Sequence, residues 1–155
     1  MVFVVEDNGY AESTASAWSV GGSQLKRAEA FGMPGTQVNG HDFFEVAEAA
    51  KEAIDRARAG DGPSLIHANL DRHYGHFEGD AQTYRAPGET DQLRQEKNSL
   101  AIFRQKVTEA GLLEAPQLDE IDKEVAAQIG RAVTAAESAK APTAEDLLTD
   151  VYVSY

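Results

Sequence analysis

The sequence predicts an α/β architecture: a partial doubly wound parallel sheet followed by a helical carboxy-terminal segment. Three observations predict it. The chain opens on VFVV, four apolar residues with three β-branched, running straight into Glu6-Asp7-Asn8-Gly9-Tyr10. Strand-like and helix-like patterns then alternate as far as Leu70, and such alternation implies parallel strands joined by crossover helices. Beyond a long polar loop, apolar residues recur only at helical spacing.

Residues 2–6 read as a strand. A continuous apolar run bounded by turn residues predicts burial on both faces. Residues 7–23, rich in Gly, Ser, Thr and Ala, show no period and read as a loop of the kind that lines an active site. Residues 24–31 form a short helix closed by Gly32. Met33-Pro34-Gly35 is a turn, and 36–38 a short strand closed by Asn39-Gly40. Asp42 is a helix N-cap, with Glu45 three residues on in box-like spacing. Phe43, Val46, Ala47, Ala50, Ile54 and Ala57 then recur at helical intervals until Gly60. SLIHANL (64–70) is the next strand.

Residues 71–90 make a Gly-containing loop of about 20 residues, a length that is usually functional or disordered. Asn98 or Ser99 caps a helix carrying Leu100, Ile102, Phe103 and Val107 and ending at Gly111. Leu118, Ile121, Val125, Ile129 and Val133 mark a longer amphipathic helix. Residues 139–142 break it, Thr143 and Asp146 start a last short helix, and VYVSY (151–155) reads as an extended segment that docks on a partner.

The 155 residues suffice for a domain, and the 42% hydrophobic content supports a core. A net charge of -12 opposes binding to nucleic acid or to an anionic membrane. With no cysteine, disulfides and thiolate zinc sites are excluded. No apolar run reaches membrane-spanning length and no signal peptide opens the chain, so a cytoplasmic location is expected.

Two clusters carry chemistry. Asp7, Asn8 and the Tyr10 carbonyl follow a strand end, where open α/β sheets bind ligands. An Asn side chain and a carbonyl two residues on can reach one hard cation. An ordinary Asn-Gly turn accounts for the same spacing. Arg72, His73, Tyr74, Gly75 and His76 follow the other strand. Histidines in a Gly-containing loop beside an arginine suit proton transfer or phosphate contact; a solvated surface loop is the plainer alternative. His67, within a strand, reads as a hydrogen-bonded core histidine, and His41, beside the cap, as structural.

Three stretches together resemble one family. EDNGYAEST (6–14) looks like the end of the thiamine diphosphate motif, AFGMPGTQVNGHD (30–42) like the connecting segment, and RHYGHFEGDAQTYR (72–85) like the active-site loop with its Gly-His pair. The chain resembles the alpha subunit of the thiamine-diphosphate-dependent 2-oxo acid dehydrogenase first component, most closely its acetoin-dehydrogenase-like branch. The similarity runs through FRQKVTEAGLL into the final helices.

The resemblance implies that Asn8 and the Tyr10 carbonyl ligate Mg2+ and hold thiamine diphosphate. It implies that His76 reaches the diphosphate and the reaction centre, acting catalytically. Asp7 stands where the family often has an Asn that is not a ligand. Phe77 replaces the regulatory serine of the mitochondrial pyruvate enzymes, so that phosphorylation switch is not expected. Tyr74 replaces a histidine of the pyruvate branch and favours acetoin; pyruvate and branched-chain 2-oxo acids remain alternatives.

On this resemblance, 1–90 is the carboxy-terminal half of the cofactor-binding α/β domain, with its active-site loop at 71–90. Residues 91–155 are a helical extension at a subunit interface. The implied partners are a beta subunit in an α2β2 assembly, a lipoyl-bearing acyltransferase component and a small-molecule substrate. The family's Gly-Asp-Gly has no counterpart among the seven residues before Asn8. A carboxy-terminal fragment, inactive alone, is therefore expected, and a non-catalytic interaction module is the rival reading.

Overall fold

A computed structural model describes residues 1–149. It forms two compact units, Met1–Ala110 and a second beginning at Gly111. The first holds a three-stranded parallel sheet. The strands are β1 (Val2–Asp7), β4 (Gly35–Asn39) and β5 (Ser64–Asn69), with β5 in the centre. Between β1 and β4 come a small hairpin, β2 (Tyr10–Ala11) and β3 (Thr14–Ala15), and two helices, α1 (Ser16–Ser19) and α2 (Gln24–Ala30). Helix α3 (Phe43–Ala59) joins β4 to β5. Helices α4 (Glu89–Glu96) and α5 (Ser99–Glu109) complete the unit.

The register places Asp7, Asn69 and Asn39 side by side, so all three strands end at one edge. Successive side chains in a strand point to opposite faces. Ile66 and Ala68 of β5 and Val38 of β4 pack with Ala49 and Ala53 of α3, the centre of the core. The opposite face takes α2: a Cβ on Gly35 would lie 3.0 Å from Leu25 and 3.5 Å from Ala28. Helices thus cover both faces, as the alternation predicts.

The signals read at Asp42, Asn98 and Gly60 act as expected, and Ser23 adds a cap that pattern reading did not name. Ser23 caps α2 by accepting from the Lys26 N–H, Asp42 caps α3 by accepting from Phe44, and Asn98 caps α5 by accepting from Leu100 and Ala101. Gly60 ends α3 at φ 86°, a left-handed conformation natural to glycine. Glu45 departs from the box: its carboxylate accepts from the Asn39 N–H, bracing the strand end that precedes the helix.

Two expectations need correction. The apolar run of β1 is not buried on both faces: among the described residues β1 is an edge strand, paired with β5 alone, and lies at the margin of the helix-covered faces. Phe3 and Val4 are 43% and 59% exposed. Residues 7–23 are not a featureless loop. Glu12 takes a positive φ of 60°, which lets two residues turn β2 back onto β3.

In the second unit, α6 (Ala115–Ser138) starts at a capping box of Glu114 and Gln117. Ile121, Val125, Ile129 and Val133 form its apolar stripe and are 49–60% exposed. Thr143 and Asp146 make the expected box, but the element they start, Ala144–Leu148, is a 3₁₀-helix rather than an α-helix. The extended segment expected at 151–155 lies outside the described residues. No helix among the described residues is long and apolar enough to cross a membrane.

Candidate active site

The strand ends bring the two chemical clusters to one edge of the sheet. After β1, the Asn8 side chain folds back, and its Oδ1 accepts from the Tyr10 N–H at 3.0 Å. This Asx turn holds the Asn8 amide oxygen and the Tyr10 peptide in one tight bend. Gly9, at φ 79°, supplies the backbone reversal. The Asn8 oxygen keeps a second lone pair.

Asp7 is engaged inside the fold. Its Oδ2 lies 3.1 Å from His67 Nε2, and its Oδ1 accepts from the Gly9 N–H at 3.1 Å. The His67 hydrogen bond, followed by that of Gly9, holds the carboxyl below its ordinary pKa. His67 is therefore a hydrogen-bonded strand histidine, as its position predicts. His41 is buried with Nε2 2.9 Å from Asp71 Oδ2, a structural role also anticipated.

After β5, residues 71–88 form an irregular loop held by an Asp80 hub. Asp80 Oδ2 accepts from the His76 N–H at 2.8 Å and from the Tyr84 hydroxyl at 2.6 Å, while Oδ1 accepts from Gln82 N–H at 2.9 Å. The Tyr84 bond, then those of His76 and Gln82, hold the Asp80 carboxyl down at about 2. The same hydrogen bond pushes the Tyr84 hydroxyl up. A Cβ on Gly75 would lie 2.6 Å from Asp80 Cβ, so only glycine lets the hub close.

Arg72 ties this loop to the hairpin. Its guanidinium donates to the Glu12 carbonyl at 3.1 Å and to the Tyr84 hydroxyl at 2.5 Å, and stands 3.4 Å from His76 Nδ1. Tyr84 and Tyr10 rings meet at 5.3 Å, and the Arg85 guanidinium lies 5.1 Å from the Tyr10 ring centroid. Tyr10 and the 71–88 loop are thus in direct contact. His76 is exposed and joins the cluster through Arg72. Asp80, Tyr84 and Arg85 carry this arrangement, and pattern reading gave them no role. The available signal was an acid and a tyrosine four residues apart in a Gly-containing loop.

A cavity of about 510 Å³ is lined by Asn8, Tyr10, Asp7, Ser16 and His67. Magnesium favours six oxygen ligands in octahedral geometry. The Asn8 amide and the Tyr10 carbonyl are oxygen donors of that chemistry, both uncharged. Among the described residues no group of three or more His, Cys, Asp or Glu is placed to hold a metal. The turn therefore fits part of a hard-cation site, one that takes its negative charge and remaining oxygens from outside this turn.

A family model described as the dehydrogenase E1 component matches residues 1–145. The chain belongs to this dehydrogenase family. It is 55% identical, over its whole length, to an acetoin:2,6-dichlorophenolindophenol oxidoreductase alpha subunit from Cupriavidus necator, covering 47% of that protein. The corresponding subunit from Bacillus subtilis is 44% identical, with 46% of it covered. A pyruvate dehydrogenase E1 component alpha subunit from Rhizobium meliloti is 32% identical over 97% of this chain and 44% of that protein. The chain spans about half the length of these curated relatives.

Proposed function

We propose that this chain forms part of the alpha subunit of a thiamine-diphosphate-dependent dehydrogenase of the acetoin type. The enzyme cleaves a carbon–carbon bond next to a carbonyl and passes the acyl unit to a lipoyl group. The observation that carries this reading is the juxtaposition at one sheet edge of the Asn8–Tyr10 turn and the 71–88 loop, joined by Arg72. The names of the acetoin relatives favour acetoin over pyruvate, with Tyr74 in support.

In this reading Asn8 Oδ1 and the Tyr10 carbonyl would hold Mg2+ beside the cofactor's diphosphate. Thiamine diphosphate, when bound, supplies the electron-sink chemistry that a polypeptide lacks. His76 offers an imidazole for hydrogen bonding to the diphosphate and for moving a proton near the reacting carbonyl. Arg72 fixes where that imidazole stands. The carboxylate of the metal set comes from outside the Asn8–Tyr10 turn, and the partners are the beta subunit of an α2β2 assembly and a lipoyl-bearing acyltransferase. Residues 91–155 form the helical extension at the subunit interface, and the assembly works in the cytoplasm.

Calorimetric titration of thiamine diphosphate, with and without Mg2+, into the chain assembled with its beta subunit tests this. Magnesium-dependent binding that weakens about tenfold or more in Asn8→Ala is expected, in line with the loss of one ligand. Unchanged binding in that variant would remove the metal-site assignment. The exposed edge of β1 favours a second reading, an interaction module without catalysis; assembly without any cofactor binding would support it.

A further inference from the structure

We infer that Arg94 of α4 is a positioning residue for the 71–88 loop, clamping it at His73 and Tyr74 so that His76 is held between two anchors. The inference rests on reading 71–88 as the active-site loop. The first anchor is the Asp80 hub, which takes the His76 N–H. It lies within the loop itself and reaches the rest of the fold through Tyr84, whose ring meets that of Tyr10 at 5.3 Å. Arg72 and Arg85 connect the loop to the hairpin and to its own base. Arg72 Nε also donates to the Tyr74 carbonyl at 3.1 Å, and the His73 ring lies parallel to that of His41 at 6.3 Å, but neither ties 73–74 to the helix that follows the loop.

Arg94 does. Its Nε donates to the His73 carbonyl at 3.1 Å. The guanidinium carbon lies 4.5 Å from the Tyr74 ring centroid, the shortest of the cation–ring contacts among the described residues. Nη1 pairs with Asp91 at 3.3 Å, one turn back on the same helix, which aims the fork toward the loop. Tyr74 itself is 70% exposed, so its ring is not in the core and its packing partner is the guanidinium. A planar cation can donate in its plane and stack through its face at once; an ammonium cannot. The contact makes α4 a support for the loop two residues ahead of His76.

Hydrogen–deuterium exchange on the purified chain tests this without reference to activity. A cation–π contact at an exposed site corresponds to a factor of about 2 to 5 in a local opening equilibrium. Tyr74→Leu should therefore speed exchange across 74–79 about two- to fivefold, leaving β5 and α3 as they were. Tyr74→Phe keeps the ring and should restore the parental rates. Arg94→Lys keeps the charge, loses the in-plane donor, and should speed exchange across 74–79 about twofold or more. Parental rates in Tyr74→Leu, or a Phe variant as fast as Leu, would overturn the clamp. Should Tyr74→Leu also speed exchange in β5, Arg94→Lys decides: acceleration confined to 74–79 supports the clamp, and parental rates overturn it. A chain that follows this order of rates, while Asn8→Ala leaves magnesium-dependent thiamine diphosphate binding by the assembly unchanged, would refute the metal-site assignment and leave the clamp standing.

Discussion

At the residue scale, the site is governed by hydrogen bonds that keep charged groups in fixed positions. Asp80 is the clearest case. Its carboxyl is held at about 2 by Tyr84, His76 and Gln82, below the ordinary 3.8. A depressed carboxyl contributes its full stabilisation above the ordinary value and loses it as pH falls through the folded one. The amide resonance of Gln82 should therefore hold steady from neutral pH to about 4 and move with a midpoint of about 2; a midpoint near 3.8 would mean the hub does not form. Gly75→Ala places a methyl 2.6 Å from Asp80 Cβ. Displacing a catalytic group by about 1 Å can cost as much as 100-fold in rate. On the proposed function, a drop in kcat of about tenfold or more is expected, with the thermal midpoint of the assembled enzyme little changed, and kinetics beside a thermal melt would show both.

At the element scale, α3 and the β4–β5 pair carry the stability of the first unit. Their contact is built from small and branched residues, and Ile66 is 4% exposed at its centre. Ile66→Ala should destabilise by about 2–5 kcal/mol through lost burial and the cavity left behind, read as a lower urea midpoint. Gly40 matters for a different reason. A Cβ there would lie 2.9 Å from both the Asn69 carbonyl and Leu70 Cβ, so the β4 and β5 ends approach as closely as they do because of it. Gly40→Ala should cost about 1–3 kcal/mol. Urea unfolding within experimental error of the parent would show that the strand ends give way. Both elements were legible from periodicity and caps. The hairpin at 10–15 was not, since two-residue strands have no period to read and its turn depends on a left-handed glutamate.

At the scale of the whole molecule, apolar surface is left uncovered on the strand that patterning read as buried on both faces and along the amphipathic α6. Phe3 and Val4 on β1 and the α6 stripe are exposed, and surface of that kind marks interaction sites. On the proposed function the occupant is the beta subunit. Binding to the folded chain alone adds about 2.7 kcal/mol at a hundredfold excess over Kd. That corresponds to a rise in Tm of about 5 °C or more for a chain of this size. A melting temperature indifferent to the beta subunit would remove that assignment.

The sequence by itself determined the alternation of strands and helices, the caps at Asp42 and Asn98, and the places where the chemical clusters fall. These depend on local period, on side chains reaching their own backbone, and on residues such as Gly60 whose conformational freedom is intrinsic. The E1 family resemblance was legible too, because three motifs stand in fixed order along the chain. Only the tertiary structure decided that β5 is central and β1 an edge, since pairing order is a matter of which strands meet, not of what each contains. It also decided which side chains hold the loop. Asp80, Tyr84, Arg85 and Arg94 act through partners 4 to 21 residues away or on another element, as in the Arg94 bond to His73. Contacts set by the path of the chain through space leave no periodic trace in the order of its residues.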